Sequence, residues 1–108
     1  MTYQATHWAT EPTRQALDAL KGASLLEFGA PWCGHCQRAQ PLIQSALAAF
    51  PGLSHIKVED GPGRPLGRSY RVKLWPTLIF LRDGQEIARL VRPEDAQPIS
   101  EALARISA

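Results

Sequence analysis

Short apolar runs alternate with longer segments of helical periodicity along this chain of 108 residues. Most of these runs have the length and hydrophobic content of strands buried inside a sheet, and the first run is the weakest. The last two runs flank Asp83-Gly84, a pair that favours a two-residue hairpin turn. The pattern therefore predicts about five strands, over residues 3–9, 24–29, 53–59, 77–81 and 85–91.

Helical spacing between and after these runs predicts four helices. The longest follows the two cysteines, where apolar residues recur at three- and four-residue intervals over residues 39–50. Pro41 should kink this helix, because proline removes a hydrogen-bond donor and crowds the preceding turn. The first helix is predicted to have Thr10 as its N-cap and Pro12 near its first position, and to end at Gly22. The other two are predicted over residues 65–71 and 94–107.

The order of these elements, β-α-β-α-β-(α)-β-β-α, indicates an α/β fold. Its first half alternates like parallel βαβ units, and its second half adds a hairpin and a closing helix. We expect a mixed central sheet of about five strands, flanked by helices on both faces. A chain that is 44% hydrophobic and 20% charged can fill one core, so residues 1–108 are predicted to form a single domain.

Composition and charge narrow the classes of partner. The formal net charge is +2, and its charges are scattered without a Lys/Arg cluster, so we expect no nucleic acid or membrane partner. No apolar run approaches the ~20 residues of a membrane span. The start of the chain lacks a basic segment followed by an apolar one, which favours a cytoplasmic location. A monomer is the expected oligomeric state.

Both cysteines lie in one short motif, Cys33-Gly34-His35-Cys36, which raises three hypotheses. A disulfide that closes so short a loop stabilises a fold by only about 2 kcal/mol. A structural zinc site needs four ligands, and His7 and His55 are isolated in the sequence, although copper(I) on the two thiolates stays open. The third hypothesis is thiol–disulfide chemistry.

The position of the motif favours the third hypothesis. It follows a predicted buried strand and begins a helix, whose unpaired N–H groups favour a thiolate at Cys33. A protonated His35 would add positive charge, and lowering a thiol pKa from ~8.5 to ~7 raises its thiolate fraction about fifteenfold. Cys36, one turn along, can then attack a mixed disulfide formed at Cys33. Beside a βαβ pattern, this spacing indicates a redox pair.

The chain resembles the thioredoxin family over nearly its whole length. The resemblance implies the thioredoxin fold and a reductase of protein disulfides, active in electron transport and cell redox homeostasis, without a dissociable cofactor or a metal. It implies Cys33 as the exposed nucleophile and Cys36 as the buried resolving thiol. The residues that carry it are Phe28, Ala30, Trp32-Cys33-Gly34-His35-Cys36, Pro41, Lys57, Trp75-Pro76-Thr77 and Gly84.

The resemblance also implies a substrate-binding segment. Pro76 matches a proline that follows a cis peptide bond and lies against the disulfide. The backbone of the residue before it, Trp75, would pair with an extended substrate peptide like an added strand. Trp32 and Thr77 would belong to the same contact surface.

Glu27 is a charged residue inside an apolar strand, and two interpretations apply. It can lie at a sheet edge with its carboxylate in water. The resemblance instead places it at a buried acid beneath the disulfide. Burial would raise its pKa and Lys57 would lower it again, so that Glu27 accepts the proton of Cys36 during resolution.

Four residues depart from the family pattern, and one of them is Trp75, which is bulkier than the usual isoleucine before the cis proline. Gly34-His35 is the centre found in protein disulfide isomerases, so we expect a less negative reduction potential than an ordinary thioredoxin has. Gly29 replaces an aromatic residue and would widen the site. Arg92 replaces a glycine in the partner-docking loop, which places coupling to thioredoxin reductase in doubt. Two alternatives to a reductase remain, an oxidase or isomerase and a thioredoxin-like binding or assembly factor.

Overall fold

Four strands form one mixed sheet within residues 2–107, the part of the chain that the computed structural model describes. They are β1 (Ala23–Gly29), β2 (Ser54–Glu59), β3 (Thr77–Arg82) and β4 (Gln85–Val91). The strand order is β2-β1-β3-β4. β1 runs parallel to β2 and antiparallel to β3, and β3 and β4 form the predicted antiparallel hairpin. Residues 1 and 108 of the predicted domain lie outside the described residues.

Helices cover both faces of the sheet, which confirms the predicted α/β layering. The helices described are α1 (Arg14–Asp18), α2 (Gly34–Leu47), α3 (Pro65–Ser69) and α4 (Ala96–Ser107). Side chains alternate along a strand, so the neighbours Leu25 and Leu26 are both fully buried but in different cores. Leu25 packs with residues of α2 and α4, and Leu26 packs with residues of α1 and α3.

The N-terminal segment corrects two predictions. Residues 3–9 form no strand, and one backbone hydrogen bond, from Trp8 N–H to Lys57 O at 2.8 Å, connects this segment to β2. Most side chains of residues 3–9 are exposed, so the segment lacks the buried contacts that would keep it paired with β2 as a strand. The first helix has Thr13 and not Thr10 as its N-cap, because the Thr13 hydroxyl accepts the N–H of Ala16 at 3.0 Å.

The remaining elements were predicted with small errors at their ends. α2 continues through Pro41 and ends at Leu47, three residues before Phe50. The predicted hairpin turn is present, with φ of 51° at Asp83 and 78° at Gly84. α3 ends before Arg71, whose φ of 59° cannot continue a helix.

Two general features of residues 2–107 bear on the alternatives above. No helix in this range is both long and apolar enough to cross a membrane. No three side chains of His, Cys, Asp or Glu in this range gather as ligands of a metal ion would. The copper(I) hypothesis concerns the cysteine pair alone and stays a prediction, to be tested by metal titration of the reduced protein.

Candidate active site

The two cysteines lie where β1 leads into α2, and both are free thiols. Cys33 is the N-cap of α2, and its Sγ accepts a hydrogen bond from the backbone N–H of Cys36 at 3.2 Å. The unpaired N–H groups of a helix N-terminus stabilise negative charge on an atom placed there. The turn therefore holds the sulfur of Cys33 at a position suited to an anion.

The two thiols differ more in direction than in exposure. Cys33 is 7% exposed and Cys36 is 4% exposed, so the expected exposure of Cys33 is wrong for the residue as a whole. Cys33 is buried because Ala30 and Trp75 pack against the two cysteines. Cys33 lines a surface depression of about 350 Å³ together with Trp75. Cys36 lines a different cavity, of about 360 Å³, together with Lys57.

Burial controls the protonation of Cys36. Burial raises the pKa of the Cys36 thiol to about 12, and its hydrogen bond to Cys33 acts in the same direction. Cys36 is therefore a neutral thiol at neutral pH. It has to lose its proton to an acceptor before it can attack a mixed disulfide.

Glu27 is 1% exposed, which rules out the sheet-edge interpretation. Its Oε1 lies 2.8 Å from His55 Nε2, and its Oε2 accepts a hydrogen bond from Gln40 Nε2 at 2.8 Å. The backbone N–H of Gln4 donates to Nδ1 of His55 at 2.9 Å. Since Nδ1 accepts, Nε2 of His55 carries the hydrogen and donates it to the carboxylate. Both oxygens of Glu27 thus have a donor.

These donors decide the charge of Glu27. Burial acts to raise the pKa of Glu27, but the hydrogen bond from His55, the charge of Lys57 and the hydrogen bond from Gln40 together hold it below its ordinary value. Glu27 is therefore ionised at neutral pH. Lys57 lowers the pKa of Glu27, as predicted, but it does not bond to the carboxylate directly. Its Nζ donates to Gln40 Oε1 at 2.7 Å and to the carbonyl of Ala5 at 3.1 Å.

The Trp75-Pro76 peptide bond is cis, as the resemblance implied. The indole N–H of Trp75 donates to Asp60 Oδ2 at 2.9 Å, which fixes the ring beside the depression at Cys33. Trp32 is 71% exposed and lies edge-on to Trp75, with 5.5 Å between the ring centroids. Two aromatic rings therefore border the depression that Cys33 lines.

Arg92 contacts the backbone on both sides of that cis bond. Its Nε donates to the carbonyl of Trp75 at 2.8 Å, and its backbone N–H donates to the carbonyl of Pro76 at 2.9 Å. Its φ of 50° lies in the left-handed region, which favours glycine. The side chain that replaces the family's usual glycine is thus anchored directly beside the predicted substrate-binding backbone.

A family model described as Thioredoxin matches residues 5–105 of this chain. The chain belongs to the thioredoxin family. Together with the Cys33–Cys36 pair, family membership makes it a thiol–disulfide oxidoreductase of protein disulfides.

Solved and curated thioredoxins support the assignment. Thioredoxin 2 of Pseudomonas aeruginosa PAO1, in its reduced form, is 52% identical, with a TM-score of 0.86 and 97% of each chain covered. The thioredoxin of Chlamydia trachomatis serovar D is 33% identical over 85 residues, which is 78% of this chain and 82% of that protein. Protein disulfide-isomerase A2 of Pongo abelii is 39% identical over 89 residues, which is 77% of this chain but only 17% of that longer protein.

His35 behaves differently from the expectation for this thioredoxin motif. The charge of Arg92 is the largest cause that lowers the pKa of His35, with further contributions from desolvation and from Arg38. A guanidinium N–H of Arg38 also lies 2.9 Å from His35 Nδ1. Two arginines therefore make protonation of His35 less favourable, and they themselves supply positive charge beside it.

At Gly29 of this thioredoxin site, the resolving thiol occupies the place that a Cβ would take, and the expected widening stays a prediction. A Cβ placed on Gly29 would lie 2.6 Å from the Sγ of Cys36, far closer than such atoms approach in proteins. The space at the root of the missing aromatic side chain is therefore taken by the resolving thiol. Gly29 lets Cys36 adopt its present rotamer.

Thr77 lies in the predicted segment, but its side chain points inward. It is 1% exposed, and its hydroxyl donates to the carbonyl of Leu74 at 2.6 Å. The hydroxyl therefore braces the loop before the cis proline. A direct contact between Thr77 and a substrate stays a prediction.

Gln40 and His55 are the site residues that the sequence reasoning missed. Gln40 lies four positions after Cys36 on α2, so it shares a helix face with the resolving thiol. His55 lies two positions before Lys57 on β2, so it shares that strand's face. These two spacings were the available signals for a polar group around Glu27.

Proposed function

We propose that this thioredoxin-family chain reduces protein disulfides as a cytoplasmic monomer. The observation that carries the proposal is the geometry at Cys33. Its sulfur caps α2 and lies beside the cis Trp75-Pro76 segment, with Cys36 one helical turn behind it. No dissociable cofactor takes part, since the two thiols supply both electrons.

The first step joins the substrate to Cys33. The Cys33 thiolate attacks one sulfur of the substrate disulfide, and the substrate S–S bond breaks as the Cys33–substrate S–S bond forms. The released substrate sulfur takes the electron pair and then a proton from solvent. The backbone of Trp75 holds the substrate segment by strand-like pairing.

The second step releases the reduced substrate. Cys36 gives its proton to an acceptor and attacks Sγ of Cys33, so the mixed disulfide breaks and the Cys33–Cys36 disulfide forms. The substrate leaves as a thiolate and is protonated. Glu27 is the acceptor we favour, since it is buried, ionised and linked through Gln40 to the carbonyl of Cys36 at 2.8 Å. An external dithiol or reductase then restores both thiols.

Insulin reduction with two electron sources tests this function. We expect the chain to accelerate insulin reduction by dithiothreitol, and Cys33→Ser to abolish the acceleration. Activity with NADPH and thioredoxin reductase would show that the reductase docks despite Arg92. Activity with dithiothreitol alone would assign recycling to another donor. If the wild-type chain binds a partner protein but does not accelerate insulin reduction, the result would instead favour a binding or assembly factor.

An oxidase or isomerase is the second candidate, and two observations favour it. The motif centre is Gly34-His35, and the isomerase relative shares 39% identity over the matched region. Thioredoxin has a potential of about −270 mV and protein disulfide isomerase about −180 mV. Titration against a glutathione buffer should give a value less negative than about −270 mV. A value at or below that level would overturn this expectation and favour the reductase alone.

A further inference from the structure

Positive charge is concentrated at the opening over Cys33. The depression there is lined by Lys73, Arg92 and His35 on its polar side, and within the described residues no carboxylate lines it. A second depression on the other side of His35 is lined by Arg38 and Arg92, with Glu94 as its acidic residue. The chain carries a formal net charge of only +2, so this is a local feature.

Arg92 is held in place at this opening. Its Nε is engaged by the carbonyl of Trp75 at 2.8 Å, and its backbone N–H by the carbonyl of Pro76 at 2.9 Å. In the part of the chain that the structure describes, its two terminal guanidinium nitrogens have no hydrogen-bond partner. These nitrogens form a fork that matches the two oxygens of a carboxylate.

The charge of the Arg92 guanidinium affects His35, which lies between the two cysteines. Arg92 is the largest cause that lowers the pKa of the exposed His35, and Arg38 contributes to the same shift. Asp60, which accepts the indole N–H of Trp75 and keeps its negative charge, does not line this depression. An incoming substrate therefore meets Arg92 and Lys73 beside the sulfur that attacks it, with no carboxylate among the described residues that line the opening.

We propose that Arg92 and Lys73 select disulfide substrates that carry carboxylates beside the attacked cysteine. The inference rests on the proposed disulfide exchange at Cys33 and adds its substrate class, acidic peptide segments. A flanking Asp or Glu pairs with the free edge of the Arg92 guanidinium while the substrate backbone lies along Trp75. Flanking lysines meet like charge, which slows their encounter with Cys33.

Three matched peptide disulfides test the proposal. They share one sequence except for the two residues that flank the cysteine, which are Glu, Gln or Lys. We measure kcat/KM for their reduction with dithiothreitol as the electron donor, after subtracting the rate without protein. Since an exposed charge pair contributes modestly, the Glu peptide should react about fivefold faster than the Lys peptide. The ratio should fall towards one at high salt.

Variants assign the selectivity to its residues. Arg92→Gln and Lys73→Gln should each lower the Glu-to-Lys ratio, and Arg92→Lys should keep most of it because the charge stays. Comparing peptides within one variant cancels any general loss of activity. Arg105→Gln is the matched control, since Arg105 donates to the carbonyl of Ile87 and lines neither depression. It should keep the wild-type ratio.

The outcomes separate this inference from the proposed function. Equal rates for the three peptides with the wild-type chain would overturn the charge selection and leave disulfide reduction standing. A ratio unchanged in both Arg92→Gln and Lys73→Gln would overturn the assignment to these residues. Failure to reduce any of the three peptides would overturn the proposed function itself, and the inference with it.

Discussion

The proton on Cys36 is the central question at the scale of single residues. Burial raises the pKa of this thiol to about 12, and the neighbouring Cys33 sulfur adds to the effect. When Cys33 enters a mixed disulfide, its sulfur no longer carries charge or accepts a proton from Cys36. The two contributions that Cys33 makes to the raised pKa of Cys36 are then lost, while burial, the largest cause, remains. The resolving thiol therefore stays protonated until a substrate is attached, which prevents it from competing as nucleophile.

Replacing Glu27 with Gln should slow resolution of the mixed disulfide about a hundredfold, since it removes a positioned proton acceptor. Attack by Cys33 should be little affected. The lifetime of a mixed disulfide between Cys33 and a peptide, followed by rapid mixing and mass spectrometry, measures the effect. Glu101→Gln, on the exposed face of α4, is the control. An unchanged lifetime in Glu27→Gln would end the idea of Glu27 as acceptor.

A methyl group at Gly29 should also reach the resolving thiol. Its Cβ would lie 2.6 Å from Cys36 Sγ, so the Cys36 side chain must rotate away in Gly29→Ala. We expect resolution to slow several-fold, because the sulfur loses its alignment behind Cys33. The same mixed-disulfide assay measures this, with Gly52→Ala as control since a Cβ there meets no atom within 4 Å. Equal rates in the two variants would contradict the assignment.

Local motifs allowed some site residues to be predicted and not others. Cys33 and Cys36 lie within one short recognisable motif, and the cis bond before Pro76 was implied by the family resemblance. The lowered pKa of His35 could not be predicted, because the cation that is its largest cause, Arg92, comes from a loop distant in sequence. Interactions between distant segments are set by the fold and leave no local pattern.

At the scale of elements, burial explains which predictions held. β1 and β3 are almost wholly buried, so their apolar runs were unmistakable. Residues 3–9 carry mixed polar and aromatic side chains. Some of them contact β2 and α2, but the segment forms no strand. Tyr3, for example, donates its hydroxyl to Gln40 Oε1 at 2.7 Å. Periodicity in an exposed segment therefore predicted a strand that tertiary contacts do not support.

Alanine substitutions at three loop glycines should separate the cost of a steric collision from the cost of a positive φ alone. Gly84 has a φ of 78° and its Cβ would collide with the carbonyl of Asp18, so Gly84→Ala should destabilise the fold by about 3 kcal/mol. Gly22 has a similar φ of 79° but open space, so Gly22→Ala should lose about 1 kcal/mol. Gly52→Ala should be nearly neutral. Urea unfolding measures all three, and equal losses at Gly84 and Gly22 would contradict the collision.

At the scale of the whole molecule, the interior holds a polar network between sheet and α2. Glu27, His55 and Lys57 are all buried, and Gln40 connects the carboxylate to the ammonium. Breaking one member of a buried network leaves the others without partners. The stability of the whole fold is therefore linked to the protonation of Glu27.

The stability of the reduced chain should fall as the pH drops below about 4.5, because Glu27 has a lower pKa folded than unfolded. A carboxyl with a lowered folded pKa stabilises the fold above its unfolded pKa, and that contribution disappears as the pH falls through its folded pKa. Glu27→Gln lacks it, so its free energy of unfolding should be lower at pH 7 and should vary less between pH 5 and 3. Urea unfolding at constant ionic strength measures both curves, and Glu101→Gln should follow the wild type. Parallel curves for Glu27→Gln and wild type would show that Glu27 is not linked to stability in this way.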